Sequence, residues 1–139
     1  MVKEKLFIKE MVNELRYVAK KMRSESDYEK AIYYFSAAHG ITNRTFRYVF
    51  NENVLLADFV LNVSYNMFND LITRVKQQNI SSVPLEYAKI RKISDQLNAL
   101  ADAFEAGRDV SIPLKKILTI AYTTTGNGHY LEEKGMISI

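Results

Sequence analysis

The stretch from Asn53 to Gln78 is apolar around most of a helical circumference. Its one consistent polar line recurs every four residues, which on a helix forms a single slowly drifting stripe. The stripe consists of Asp58, Asn62, Asn66 and Asp70. A helix with so little polar surface is buried most of the way round, in a bundle core or at a subunit interface. The sequence therefore predicts a homo-oligomer organised around this helix.

Turn-forming residues are scarce, with five glycines and two prolines among 139 residues. Few turns favour a small number of long helices over many short strands. We predict an all-α fold, an antiparallel four-helix bundle with short crossover helices, formed by a single domain over residues 1–139. The main helices are expected near residues 2–23, 53–78, 84–106 and 112–124. The third carries an apolar seam at alternating spacings of three and four: Ile90, Ile93, Leu97, Leu100 and Phe104.

Two short helices, near residues 27–38 and 43–51, are expected to cross over between the first two long ones. Gly40 lies between them, where a helix commonly ends on a glycine in the left-handed conformation. In the tail, Gly126-Asn127-Gly128 is a strong turn sequence. The pattern there is compatible with a small hairpin over residues 120–131 and with a frayed helix end followed by an ordered loop.

The absence of cysteine excludes disulfides, thiolate metal ligands and cysteine nucleophiles, and makes a cytoplasmic location the default. The N-terminus lacks the apolar core of a signal peptide. Polar residues interrupt the central stretch too often for a membrane span, so we expect no membrane association. The two histidines, His39 and His129, are far apart, and no Glu-x-x-His motif is present. We therefore expect no metal site, no cofactor and no catalytic constellation.

Residues 32–51 resemble a helix-turn-helix motif, with Gly40 at the turn and Phe46 and Val49 facing back. This arrangement leaves polar side chains on the exposed side of a recognition helix: Asn43, Arg44, Thr45, Arg47 and Tyr48. Arginine and asparagine read guanine and adenine edges, and the net charge of +3 permits a nucleic-acid partner. One alternative function is DNA binding through Asn43, Arg44, Arg47 and Tyr48.

Two other segments are Leu-Asn-Ala-Leu-Ala-Asp-Ala-Phe at 97–104 and Ala-Tyr-Thr-Thr-Thr-Gly-Asn-Gly at 121–128. They resemble the Leu-Asn-x-Leu-Ser-Asp-x-Leu-Phe helix and the Thr-Gly-Asp-x-Gly phosphate loop of the cobalamin adenosyltransferases. That family of trimeric four-helix bundles moves an adenosyl group from ATP to corrinoid cobalt. The resemblance implies a second alternative function, ATP or corrinoid binding. The residues it implies are Asn98, Asp102, Thr125, Gly126 and Gly128.

The whole chain resembles a small uncharacterised archaeal helical-bundle family that is grouped by fold with those enzymes. Length, helix order and the absence of cysteine carry this resemblance. It implies an architecture without an assigned activity. The sequence accordingly favours a cytoplasmic helical-bundle protein that acts through self-association or by binding a partner protein.

Overall fold

A computed structural model describes residues 2–77 and 87–138, and these residues form six helices. They are α1 (Val2–Ser24), α2 (Tyr28–Tyr48), α3 (Glu52–Gln77), α4 (Tyr87–Ala106), α5 (Ser111–Tyr122) and α6 (Gly126–Glu133). No strand occurs over the described ranges, so the prediction of an all-α fold is confirmed. Within the same ranges, no helix is both long enough and apolar enough to cross a membrane. The predicted start of the third long helix, at residue 84, lies outside the described residues.

The first and fourth helices, α1 and α4, run in opposite directions. The hydroxyl of Ser94 in α4 donates to the carbonyl of Ala19 in α1 at 2.8 Å. Further along α4, Asp102 Oδ1 lies 2.7 Å from Nη1 of Arg16, which precedes Ala19 in α1. Later residues of α4 therefore meet earlier residues of α1. The order of contacts around the core is α1, α2, α3, α5 and α4, with α4 closing the ring against α1. The short helix α5 therefore fills the gap between α3 and α4.

The core contains buried apolar side chains from α1 to α5. Phe35 of α2 and Phe68 of α3 are its two largest fully buried side chains, and their rings meet edge to face with centroids 5.5 Å apart. The seam predicted for α4 faces this core. Its buried members are Ile90, Ile93, Leu97 and Leu100.

The predicted pair of crossover helices is wrong, because residues 28–48 form one continuous helix. Gly40 lies inside α2 and has an ordinary helical backbone; the positive φ angles of the described glycines are at Gly107 and Gly135. Buried Ala38, Ile41 and Thr42 continue the inward face of α2 across the glycine. A glycine inside a helix costs only about 1 kcal/mol, which burial of this face outweighs.

We expect Gly40→Ala to raise the free energy of unfolding by up to about 1 kcal/mol, because alanine favours the helix. A methyl group at Gly40 meets open space. Gly107→Ala is the matched comparison, because Gly107 ends α4 with a φ of +68° and also has open space around it. There alanine is expected to cost about 1–2 kcal/mol. Chemical denaturation of both variants tests this pair, and a loss of stability in Gly40→Ala would contradict the continuous helix.

The tail forms neither a hairpin nor a frayed end, because residues 126–133 form the short helix α6. Thr125 caps it, its side-chain hydroxyl accepting a hydrogen bond from the Gly128 N–H at 3.0 Å. The glycine pair therefore begins a helix instead of turning between strands. A Cβ atom at Gly128 would lie 1.8 Å from the carbonyl oxygen of Tyr122, so this close approach of α6 to the end of α5 requires glycine.

Candidate functional site

The residues implied for nucleotide binding do not lie together. The loop before α6 lies beside the start of α4, where Lys89 Nζ donates to Thr123 Oγ1 at 3.1 Å. Asn98 and Asp102 lie about 14 Å and 20 Å further along α4, at a rise of about 1.5 Å per residue. Two of the five implied residues, Thr125 and Gly126, line a shallow surface depression beside α3. The geometry therefore separates the implied site into two parts.

In each part of the implied site, a polar group that would meet the ligand already has a partner within the chain. Asp102 forms its ion pair with Arg16, and this hydrogen bond is the largest cause that raises the pKa of the Arg16 guanidinium. Desolvation of that guanidinium acts in the opposite direction. The Gly128 N–H, which a phosphate would need, donates to Thr125 Oγ1. A phosphate could reach this N–H only by displacing the cap of α6.

The residues implied for DNA binding lie on one helix with no turn before them. Arg44 forms an ion pair with Glu14 of α1. The ring of Tyr48 stacks on Phe7 of α1, with centroids 5.3 Å apart and planes nearly parallel. Arg47 is exposed. These contacts hold α2 against α1. The end of α2 is therefore not the free recognition helix on which the DNA-binding hypothesis depends.

The fourth of these residues, Asn43, belongs to a polar cluster around Asp58 between α2 and α3. Asp58 Oδ1 lies 3.1 Å from His39 Nε2 and accepts a hydrogen bond from Thr42 Oγ1 at 3.2 Å. Asn43 Nδ2 approaches the other carboxylate oxygen at 3.4 Å. The described residues contain no group of three or more histidine, cysteine or acidic side chains placed to hold a metal ion. The cluster therefore serves as a polar contact between two helices.

A buried lysine near the C-terminal tail was missed by sequence reasoning. Lys89 is only 9% exposed, and its ammonium lies 3.0 Å from Glu132 Oε1 in addition to its bond to Thr123. Its place immediately before the seam residue Ile90 is the one local signal of burial. Its partner Glu132 lies 43 residues further along the sequence. Because both charges have partners, this arrangement fastens α6 to α4.

The buried hydroxyl groups of Tyr28 and Ser64 have no hydrogen-bond partner among the described residues. Burial raises the pKa of the Tyr28 hydroxyl, because the phenolate would lose its hydration. The Tyr28 ring packs against the apolar core. An unpaired hydroxyl in such a place lowers stability, and we assign these groups no role in binding.

The outstanding surface feature is a group of large apolar side chains near the start of α3. We call Leu55, Leu56 and Phe59 the α3 patch; their exposed fractions are 44%, 40% and 65%. Phe50 is also exposed, but it precedes α3 and its ring lies beside Phe46 of α2. Leu55, Leu56 and Phe59 share the outer face of α3, since residues four apart are neighbours on a helix. The inner face of the same half-helix is buried through Val54, Ala57, Val60 and Leu61.

The polar stripe predicted for α3 borders this patch. Asp58 turns toward α2, whereas Asn62, Asn66 and Asp70 are exposed beyond the patch. Within the single chain α3 is not buried most of the way round, because no other helix of the described residues covers its outer face. Its burial at a subunit interface stays a prediction. The apolar circumference of α3 is thus divided between the core and an uncovered surface.

No protein-family model, curated protein or solved structure matches the chain.

Proposed function

We propose that this protein acts through self-association, with the α3 patch of one chain packed against the α3 patch of a second copy. The observation that carries the proposal is the exposure of Leu55, Leu56 and Phe59 together on one face of α3. Single exposed apolar residues are normal on a protein surface, but a contiguous group with polar residues around it is typical of an interaction site. Covering it stabilises a complex by about 25 cal/mol for each Å² of apolar surface removed from water.

A two-fold axis near Ala57 would make the patch complementary to itself. With the two α3 helices antiparallel across this axis, Leu55 of each copy faces Phe59 of the other. The same register brings Glu52 of one copy beside Asn62 of the other, where the amide donates to the carboxylate. Apolar side chains then occupy the centre and polar ones the rim, which is the usual anatomy of a protein interface.

We further propose that α1, α2, α3 and α4 are arranged as a four-helix bundle, with α5 inserted between α3 and α4. The ring of contacts α1, α2, α3, α5 and α4 supports this arrangement. In this architecture α3 has neighbours on two sides and its outer face points away from the bundle. Pairing of two such faces would put α3 at the centre of the dimer, which gives its apolar circumference a physical reason.

The mass of the protein in solution tests the proposal. We expect the parent chain to have the mass of a dimer at tens of micromolar, by light scattering after size exclusion. Phe59→Glu should give the monomer mass, because it places a charge without a partner in the apolar centre, where desolvation makes charges costly. The matched control is Tyr33→Glu, which changes an exposed aromatic residue on α2, outside the α3 patch, and should keep the dimer mass. A parent chain that is monomeric, or a dimer unaffected by Phe59→Glu, would refute this interface.

A further inference from the structure

A cleft of about 860 Å³ lies between the first half of α1, the end of α4 and the residues that begin α3. Small-molecule sites in proteins commonly measure about 300–1,000 Å³. Its apolar lining comes from both long helices and the start of α5: Ile8, Val12, Ala103, Phe104 and Val110. The residues of the α3 patch do not line this cleft. The cleft is therefore a second surface feature, independent of the proposed interface.

Three cationic side chains line the same cleft, Lys5, Lys9 and Arg108. None of them forms an ion pair with another residue of ranges 2–77 and 87–138. Lys5 and Lys9 are four apart on α1, so they lie one turn from each other and repel. A bound anion between them would relieve this repulsion.

The two carboxylates of the cleft only partly offset these cations. Glu105 Oε2 lies 3.3 Å from Arg16 Nη2, and Glu4 Oε1 accepts a hydrogen bond from Asn51 Nδ2 at 3.3 Å. Glu4 keeps its charge, because its partner is a neutral amide, whereas the charge of Glu105 is paired with Arg16 outside the cleft lining. The three cations therefore exceed the negative charge that the cleft offers them. An excess of one sign inside a concave surface concentrates ligands of the opposite sign.

The position of Arg108 is fixed by the end of α4. Gly107 adopts a φ of +68°, and the Arg108 N–H donates back to the Ala103 carbonyl at 2.8 Å. This pattern is a Schellman motif, which reverses the chain directly after the helix. It holds the backbone of Arg108 at the cleft edge before any ligand arrives, so binding requires no ordering of the backbone at this position.

We propose that this cleft binds an amphipathic anion. The ligand class has an aliphatic or aromatic body, which lies on the apolar lining near Phe104, and one carboxylate, sulfonate or phosphate group. That anionic group meets Lys5, Lys9 and Arg108. An apolar lining beside three cations distinguishes this ligand class from neutral apolar compounds, which form no ion pair with the cations. It also separates the class from duplex nucleic acids, which present repeated phosphates on the outside and keep their aromatic bases stacked inside.

Two fluorescent dyes of similar shape test the proposal, 8-anilinonaphthalene-1-sulfonate and the uncharged N-phenyl-1-naphthylamine. We expect the parent chain to bind the sulfonate in a saturable titration. The triple variant Lys5→Gln, Lys9→Gln, Arg108→Gln should weaken sulfonate binding at least tenfold and change binding of the uncharged dye by less than twofold. All three residues are exposed, so circular dichroism should show an unchanged fold.

A control variant carries the same loss of three charges outside the cleft: Lys20→Gln, Lys30→Gln and Arg47→Gln. It should bind the sulfonate as the parent does. Equal weakening in both triple variants would mean that net charge alone attracts the dye, and would overturn the proposal. Phe59→Glu should leave sulfonate binding intact. Loss of binding in that variant would place the dye on the α3 patch and would also overturn the proposal.

Discussion

Phe35→Ala is expected to lower the free energy of unfolding by about 3–5 kcal/mol, the cost typical of truncating a fully buried phenylalanine. Phe35 has no exposed surface, and its ring meets Phe68 edge to face. Alanine loses the transfer energy of the ring and leaves a cavity between α2 and α3 that the rigid helices only partly fill. Since domains of this size are stable by about 5–15 kcal/mol, this one change removes a large part of the total.

Urea denaturation at constant pH measures this loss. Tyr33→Ala is the matched control, because Tyr33 lies two residues earlier on α2 and is exposed; its effect should stay within about 0.5 kcal/mol. A double-mutant cycle of Phe35→Leu and Phe68→Leu should show a coupling of about 0.5–1.5 kcal/mol between the rings. Similar small losses in Phe35→Ala and Tyr33→Ala would contradict the described core.

Gly128→Ala is expected to separate the start of α6 from the end of α5. The added Cβ would lie 1.8 Å from the Tyr122 carbonyl oxygen, 2.5 Å from its carbon and 2.9 Å from Thr123 Cα. All three are backbone atoms, so no side chain can rotate to make room and the helix itself must shift. Forcing extra atoms into a packed region typically costs about 1–3 kcal/mol. The shift would also break the Thr125 cap and strain the pairing of Lys89 with Glu132.

Hydrogen exchange of the amides in α6 reports this change directly. We expect faster exchange across residues 126–133 in Gly128→Ala, together with a lower free energy of unfolding. Gly126→Ala is the control, because a Cβ at Gly126 meets open space in the same helix. Exchange in that variant should match the parent. If Gly128→Ala also left the exchange of α6 unchanged, the close approach of α6 to Tyr122 would be wrong.

The long helices could be predicted from the sequence because their apolar residues repeat at helical spacing. In α4 the alternation of threes and fours places Ile93, Leu97 and Leu100 on one face, and all three are fully buried. The continuity of α2 could not be predicted from Gly40. A glycine is a weak local signal of about 1 kcal/mol, whereas the burial of Ile41 that outweighs it depends on the packing of other helices.

The surface features depend on contacts between residues far apart in sequence. The apolar circumference of α3 was evident, but only the packing of α2 and α5 shows that Leu55 and Phe59 are left uncovered. The cleft is similar, because Lys9 and Arg108 are brought together by the antiparallel packing of α1 and α4. The helix-turn-helix and nucleotide-site predictions were based on short local patterns, and such patterns carry no information about these distances.

The distance between two copies of Asn66 tests the proposed α3 pairing most directly. The chain has no cysteine, so Asn66→Cys accepts a single nitroxide label, and Asn66 is exposed outside the α3 patch. An antiparallel pairing centred near Ala57 places the two labels about 30 Å apart, from a rise of 1.5 Å per residue and a helix separation of 8–10 Å. We predict a pulsed dipolar distance near this value that disappears in Phe59→Glu. A distance far from it, or one that persists in Phe59→Glu, would contradict self-association through the α3 patch.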